Sequence, residues 1–201
     1  MLIEITIIDV SAVTGLLAMS VLTLNILLGM LLGTAYKTFG WWKRLPDAIR
    51  KIKVVRIHNV TAYAALGLVL THPLLLLLDA STKFTLVDII YPVNAPHQKI
   101  FVALGTLAML ALLTVVISSQ KAVRKKLSFR AWKNIHLVSY GTAMLFIVHG
   151  LQMDPELKDR PVDWFDGEKL LCLVCFFILI VATGLRWQYQ RRLLLHRKQI
   201  S

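Results

Sequence analysis

Residues 56–78 read "RIHNVTAYAALGLVLTHPLLLLL". The run is almost entirely apolar, yet it carries a histidine near each end, His58 and His72. A helix rises ~1.5 Å per residue, so fourteen residues set these two imidazoles ~21 Å apart along its axis. That distance is most of the ~30 Å hydrocarbon core of a bilayer. The stretch therefore reads as a membrane helix with one imidazole toward each face.

The rest of the chain has the same character. It has 201 residues, 57% of them hydrophobic, and a mean hydropathy of +0.66. Apolar blocks longer than ~18 residues read as transmembrane helices. Five occur, at about 8–33, 55–78, 99–118, 132–153 and 169–187. The expectation is an all-α integral membrane protein, one bundle of five spans over residues 1–201, with no room for a second soluble domain. The opening "MLIEITIIDV" has no basic residue and carries Glu4 and Asp9, so the first span is expected to be retained rather than cleaved as a signal. Cys172 and Cys175 lie in the last span with no βαβ pattern around them, and read as small apolar helix residues.

Charge orients the bundle. The net charge is +12. "AYKTFGWWKRLPDAIRKIKVVR" has seven basic residues and one acid, "KAVRKKLSFRAWK" six and none, and "RWQYQRRLLLHRKQIS" five and none. The other three segments outside the spans hold ten of the eleven acids and five basic residues. Short loops rich in Lys and Arg stay in the cytoplasm, which puts the N-terminus outside and the C-terminus inside. Every basic segment abuts a span, which argues for a membrane surface and against nucleic acid. The second and fourth spans then run parallel, from inside to outside.

The fourth span, "WKNIHLVSYGTAMLFIVHGLQ", carries His136 and His149, thirteen residues apart. Two parallel helices thus offer two imidazoles at an inner level, His58 and His136, and two at an outer level, His72 and His149. A single intramembrane histidine can serve as an interhelical hydrogen-bond donor. Four in matched pairs point instead to a ligand. Zinc calls for about four N or S ligands. A proton relay calls for acids, and the two histidine-bearing spans contain none. Haem supplies four equatorial nitrogens itself and needs only axial ligands, so two b haems fit best. One difficulty follows from the spacing. Fourteen residues return to within ~40° of the starting face of a helix, but thirteen miss it by ~140°. Either the fourth helix distorts near Gly141, or its two ligands approach from different sides.

H-x13-H on one helix and H-x12-H on a later parallel one, with a W-K-x-x-H entry and a following tyrosine (Trp132, His136, Tyr140), resembles the ferric reductase-like transmembrane domain family. That family includes NADPH oxidases, ferric reductases and the haem-binding subunit of the bacterial methionine sulfoxide reductase system. The resemblance covers roughly residues 15–187. It implies that His58 and His136 ligate an inner haem and His72 and His149 an outer one. It also implies an electron-transfer component of an oxidoreductase in a bacterial cell (inner) membrane. Members commonly have six spans, and this chain shows five. Oxidases and ferric reductases carry a flavin and nicotinamide domain after the last span, and no G-x-G-x-x-G occurs here. The expected donor is therefore a separate flavoprotein, a free flavin or a quinol, and the acceptor lies on the outer face. A role inside a larger membrane complex, or as a haem-free anchor, is the alternative.

Arg56, Arg130 and Lys133 lie at the depth where the inner haem's propionates would need cations; the alternative is that they only fix topology. The five tryptophans read as an aromatic belt. Phe146 lies between His136 and His149 in depth and reads as either a contact between haems or ordinary core. Pro73, next to His72, is expected to kink the helix. The outer segments are long enough to fold over the outer haem, with His97, Lys158 and Arg160 available to an anionic acceptor or a docking partner. The basic tail around His196 is expected to lie along anionic lipid.

Overall fold

The computed structural model describes residues 6–154, 156–157 and 161–200, with the side chains of 196–200 outside that description. Lys158, Arg160 and the His196 side chain therefore lie outside the described residues. Every regular element among the described residues is helical. Five helices are long and apolar enough to cross a membrane: α1 (Ile7–Leu32), α2 (Val54–Leu76), α3 (Lys99–Ser119), α4 (Phe129–Gln152) and α5 (Gly167–Ile200).

Their ends follow from local chemistry. Thr6 caps α1 in a reciprocal box: its hydroxyl accepts from Asp9 N at 3.2 Å, and the Asp9 carboxylate accepts from Thr6 N at 2.8 Å. Asp9 thus serves the positive end of the helix dipole. Ser128 caps α4 by accepting from Ala131 N at 3.1 Å. Pro73 falls in the last turn of α2, which runs through it and ends at Leu76.

The helix that carries the fifth span outruns it. It continues as helix to Ile200, well beyond residue 187. The tail lacks Gly and Pro and is rich in Arg, Leu, Gln and Lys, all good helix formers, so nothing in it stops the helix. At ~1.5 Å per residue its 34 residues span ~51 Å, more than a bilayer core. The protruding part packs back on the segment after α1, where Tyr189 meets Phe39 edge to face at 5.8 Å.

The core is built around α1. Its buried Ala18, Met19, Leu22 and Ile26 join Ala65 and Val69 of α2, Leu112 and Val116 of α3, Ala143 and Ile147 of α4, and Cys172, Cys175 and Leu179 of α5. The two cysteines are free and buried, as small apolar residues would be. Helix α1 packs closely on α2, α4 and α5, and α3 packs on α4. Helices α2 and α4 are not among the closely packed pairs. They face each other through their histidines. A further cluster of Phe84, Ala95 and Leu157, with Ile8 and Val102 against it, covers the end of the bundle nearer His72 and His149, termed outer from the charge pattern.

Candidate functional site

The structure brings the four sequence-predicted histidines together as two pairs. The rings of His58 and His136 lie 6.1 Å apart between centroids, and those of His72 and His149 lie 6.2 Å apart. Because 58 meets 136 and 72 meets 149, α2 and α4 run parallel, as the charge pattern required. No hydrogen bond joins the rings of either pair among the described residues.

The spacing has a simple meaning. A metal–imidazole bond is ~2.0 Å, and the atoms of a five-membered ring lie ~1.1 Å from its centre. Two rings on opposite sides of one metal would therefore sit about 6.2 Å apart, centre to centre.

The outer pair is held from both flanks. His72 Nδ1 lies 2.7 Å from the carbonyl oxygen of Ser11, and the Ser11 hydroxyl donates back to His72 O at 2.7 Å. His149 Nδ1 lies 2.7 Å from Phe101 O of α3. A proton on Nδ1 donated to a carbonyl leaves Nε2 with a bare lone pair, the tautomer that ligates a metal. A glycine stands beneath each ring. A methyl group built on Gly15 would lie 3.1 Å from His72 Cε1, and one on Gly105 would lie 2.9 Å from His149 Cε1. Both imidazoles line one largely apolar cavity of about 140 Å³, roofed by Phe84, Ile89 and Leu157. Phe146 lines it too. The outer segments do fold over this level, as their length suggested; there His97 packs near Phe84 at 6.3 Å.

The inner pair is built differently. His58 repeats the outer pattern: Nδ1 lies 3.0 Å from Asn25 O, and a methyl on Gly29 would lie 3.2 Å from Cε1. Asn25 Nδ2 also donates to His58 O at 2.6 Å and to Thr61 Oγ1 at 2.8 Å. His136 has no such tie, and its Nδ1 is buried without a partner. Its ring instead stacks on Trp132, with centroids 5.1 Å apart and planes 20° apart. Helix α4 runs unbroken through Gly141. Its two imidazoles both meet α2 but take different neighbours, Trp132 for His136 and the Phe101 carbonyl for His149.

Arg56, Arg130 and Lys133 are exposed near the inner pair, and none makes a side-chain hydrogen bond or ion pair among the described residues. Trp42 is buried against Tyr36, and Trp132 belongs to the site. Only Trp41, Trp164 and Trp187 are exposed as an aromatic belt would have them.

Sequence reasoning missed the supporting residues. Along α1, Ser11 and Gly15 recur fourteen residues later as Asn25 and Gly29, matching the spacing of His58 and His72 on the antiparallel α2. That repeat was the available signal. Two cations of α5 were also missed. Lys169, 3% exposed, donates from Nζ to Gly150 O at 2.9 Å and to Met153 O at 2.5 Å. Arg186 donates to Met30 O at 2.5 Å. Lys169 satisfies carbonyls at the C-terminal end of α4, and Arg186 adds a second donor to Met30 O, which already accepts from Gly33 N at 3.2 Å at the end of α1; the dipole favours a cation at both ends.

The model of the family described as "Ferric reductase like transmembrane component" matches residues 14–147. No curated protein matches the chain.

Proposed function

The chain belongs to the ferric reductase-like transmembrane family, and from that premise we propose that it is a di-haem b cytochrome carrying electrons across a membrane. Members of this family are transmembrane redox components and commonly bind haem. The finer reading assigns His58 and His136 to an inner haem iron and His72 and His149 to an outer one. The observation that carries it is the centroid spacing of 6.1 and 6.2 Å, the same at both levels and suited to a single metal between each pair. Among the described residues no group of three or more His, Cys, Asp or Glu could hold a bare metal ion. Two imidazoles per level are what a macrocycle with its own four nitrogens requires.

Bound haem supplies one-electron chemistry at each level. The protein's part would be to hold the Nε2 atoms of His58, His136, His72 and His149 unprotonated and aimed at the group, and at the outer level to limit water with apolar walls. The carbonyls of Ser11, Asn25 and Phe101 do the first of these for three imidazoles. Arg56, Arg130 and Lys133 supply uncompensated cations for anionic propionates at the inner level.

The basic segments support an inner level toward the cytoplasm of a cell membrane, with the N-terminus outside. The donor is a separate flavoprotein, a free flavin or a quinol, and the acceptor is a molecule or redox protein at the outer face. The chain works alone or as a subunit of a larger membrane complex. A dithionite-reduced minus oxidised spectrum of the purified protein, with haem counted per chain, tests the reading. Two low-spin b haems are expected. A well-folded, colourless preparation would sink it.

A further inference from the structure

Three of the four imidazoles are fixed through Nδ1 by a backbone carbonyl on a neighbouring helix. The fourth, His136, has a buried Nδ1 with no partner. We infer that Trp132 is the positioning residue of His136, its indole face doing at the inner level what a carbonyl does for the other three. The inference rests on the di-haem reading.

Trp132 stands four residues before His136, so the two share a face of α4. Their rings are nearly parallel, 20° apart, at 5.1 Å. Trp132 is itself held from several directions. The Arg124 guanidinium lies 4.7 Å from its ring centroid and donates to Leu127 O at 3.2 Å, in the turn between α3 and α4. The indole N–H donates to Ser119 Oγ at 3.4 Å, and Phe129 lies against the ring at 6.0 Å. The indole is thus a fixed plate, and Arg124 over its π face adds a cation–π attraction that helps fix it.

A plate and a carbonyl hold an imidazole differently. A carbonyl bond fixes direction and tautomer and makes the ring a stronger base. Stacking fixes the plane of the ring and leaves rotation within that plane free. The Nδ1 of His136 is also buried and unpaired, a cost that the other three avoid. His136 is therefore the most weakly held of the four ligands, and the inner haem the more easily lost.

The test uses the full chain, loaded with two haems in detergent, with excess apomyoglobin to capture released haem. Two release phases are expected, and the one missing in His58→Ala is the inner. In the wild-type protein the inner phase is the faster. Trp132→Ala should accelerate the inner phase by about three- to tenfold, the range of a lost aromatic pair, and leave the outer phase unchanged. It should also broaden the low-spin EPR signal of the inner haem. Trp132→Phe should restore both. The outer phase reports that the variant is folded. An inner phase and EPR signal indifferent to Trp132→Ala would overturn the inference alone. So would equal acceleration of both phases, or a Phe variant as impaired as Ala. A colourless wild-type protein would overturn the haem reading and this inference with it.

Discussion

The outer and inner levels pair the same side chains at nearly the same spacing, yet they are built by different means. At the outer level both Nδ1 atoms lie 2.7 Å from a carbonyl, both rings rest over glycine, and a cluster of loop residues closes the end. At the inner level only His58 is held in that way, and exposed cations stand nearby. The outer level is set by backbone, which no single side-chain change removes. The inner level depends on one indole. Backbone support of that kind demands close approach, and close approach demands glycine.

The comparison breaks most completely if an outer ligand is removed. His72→Ala or His149→Ala should each abolish the outer haem, lower the reduced-minus-oxidised haem signal by about half and stop electron flow across vesicles. The inner haem should remain. If either variant kept two haems and full activity, the pairing would be wrong.

Gly105→Ala is the next largest effect and the sharper probe. The new methyl would lie 2.9 Å from His149 Cε1, closer than real contacts allow, so the ring must move. Alanine is otherwise the better residue in a helix by about 1 kcal/mol, so the bundle itself should not suffer. Loss or altered spin state of the outer haem alone is expected, read by absorption and EPR. Gly29→Ala, with 3.2 Å to His58 Cε1, should give a weaker version of the same effect at the inner haem. Equal, generalised haem loss in both variants would count against the difference drawn here.

The spans, their parallel pairing and the four histidines were legible because apolar length and fixed spacing are local properties. The supports were not, for physical reasons that differ among them. The Ser11–Gly15 and Asn25–Gly29 repeat is written in α1 but acquires meaning only when α1 is laid antiparallel on α2. Trp132 looked like an interface residue because a tryptophan at a span end usually is one. Lys169 and Arg186 looked like span-flanking charges, since nothing local shows that they reach carbonyls on other helices. The length of α5 was not legible, because polarity marks where a membrane stops and carries no instruction for a helix to stop.

Lys169 gives a smaller expected effect, on stability. Its Nζ bonds Gly150 O and Met153 O, the turn that follows His149. Hydrogen bonds from a charged donor contribute ~1.5–3 kcal/mol. Lys169→Met should lower the thermal midpoint in detergent and loosen the outer haem before the inner. Arg186→Met, which removes one of two donors to Met30 O at the far end of α1, should lower the midpoint less and without that preference. If both variants released the two haems in the same order, the clamps would have no link to a particular level.

The smallest effect is in acid, and it too should distinguish the levels. The short helix Leu86–Ile90 roofs the outer cavity through Ile89. Its first turn depends on Asp88, whose carboxylate accepts from the hydroxyl and the N–H of Thr85 at 2.6 and 2.9 Å. The Thr85 side chain and then its backbone N–H hold the Asp88 carboxyl below its ordinary value of 3.8. A carboxyl lowered on folding contributes stability that is complete above the unfolded value and lost as pH falls through the folded one. Asp79, held low by Ser81 in the same outer cover, has the same sign. Below about pH 4 the roof over the outer pair should therefore loosen, while the inner pair has no carboxylate of this kind to lose. Hydrogen exchange of residues 79–90 should rise on acidification, and haem release from the outer level should accelerate first. Thr85→Ala should loosen the roof already at neutral pH and flatten its acid response, because a carboxyl at its ordinary value contributes no stability that acid can remove. An acid response unchanged by Thr85→Ala would show that the outer level is closed by its apolar cluster alone.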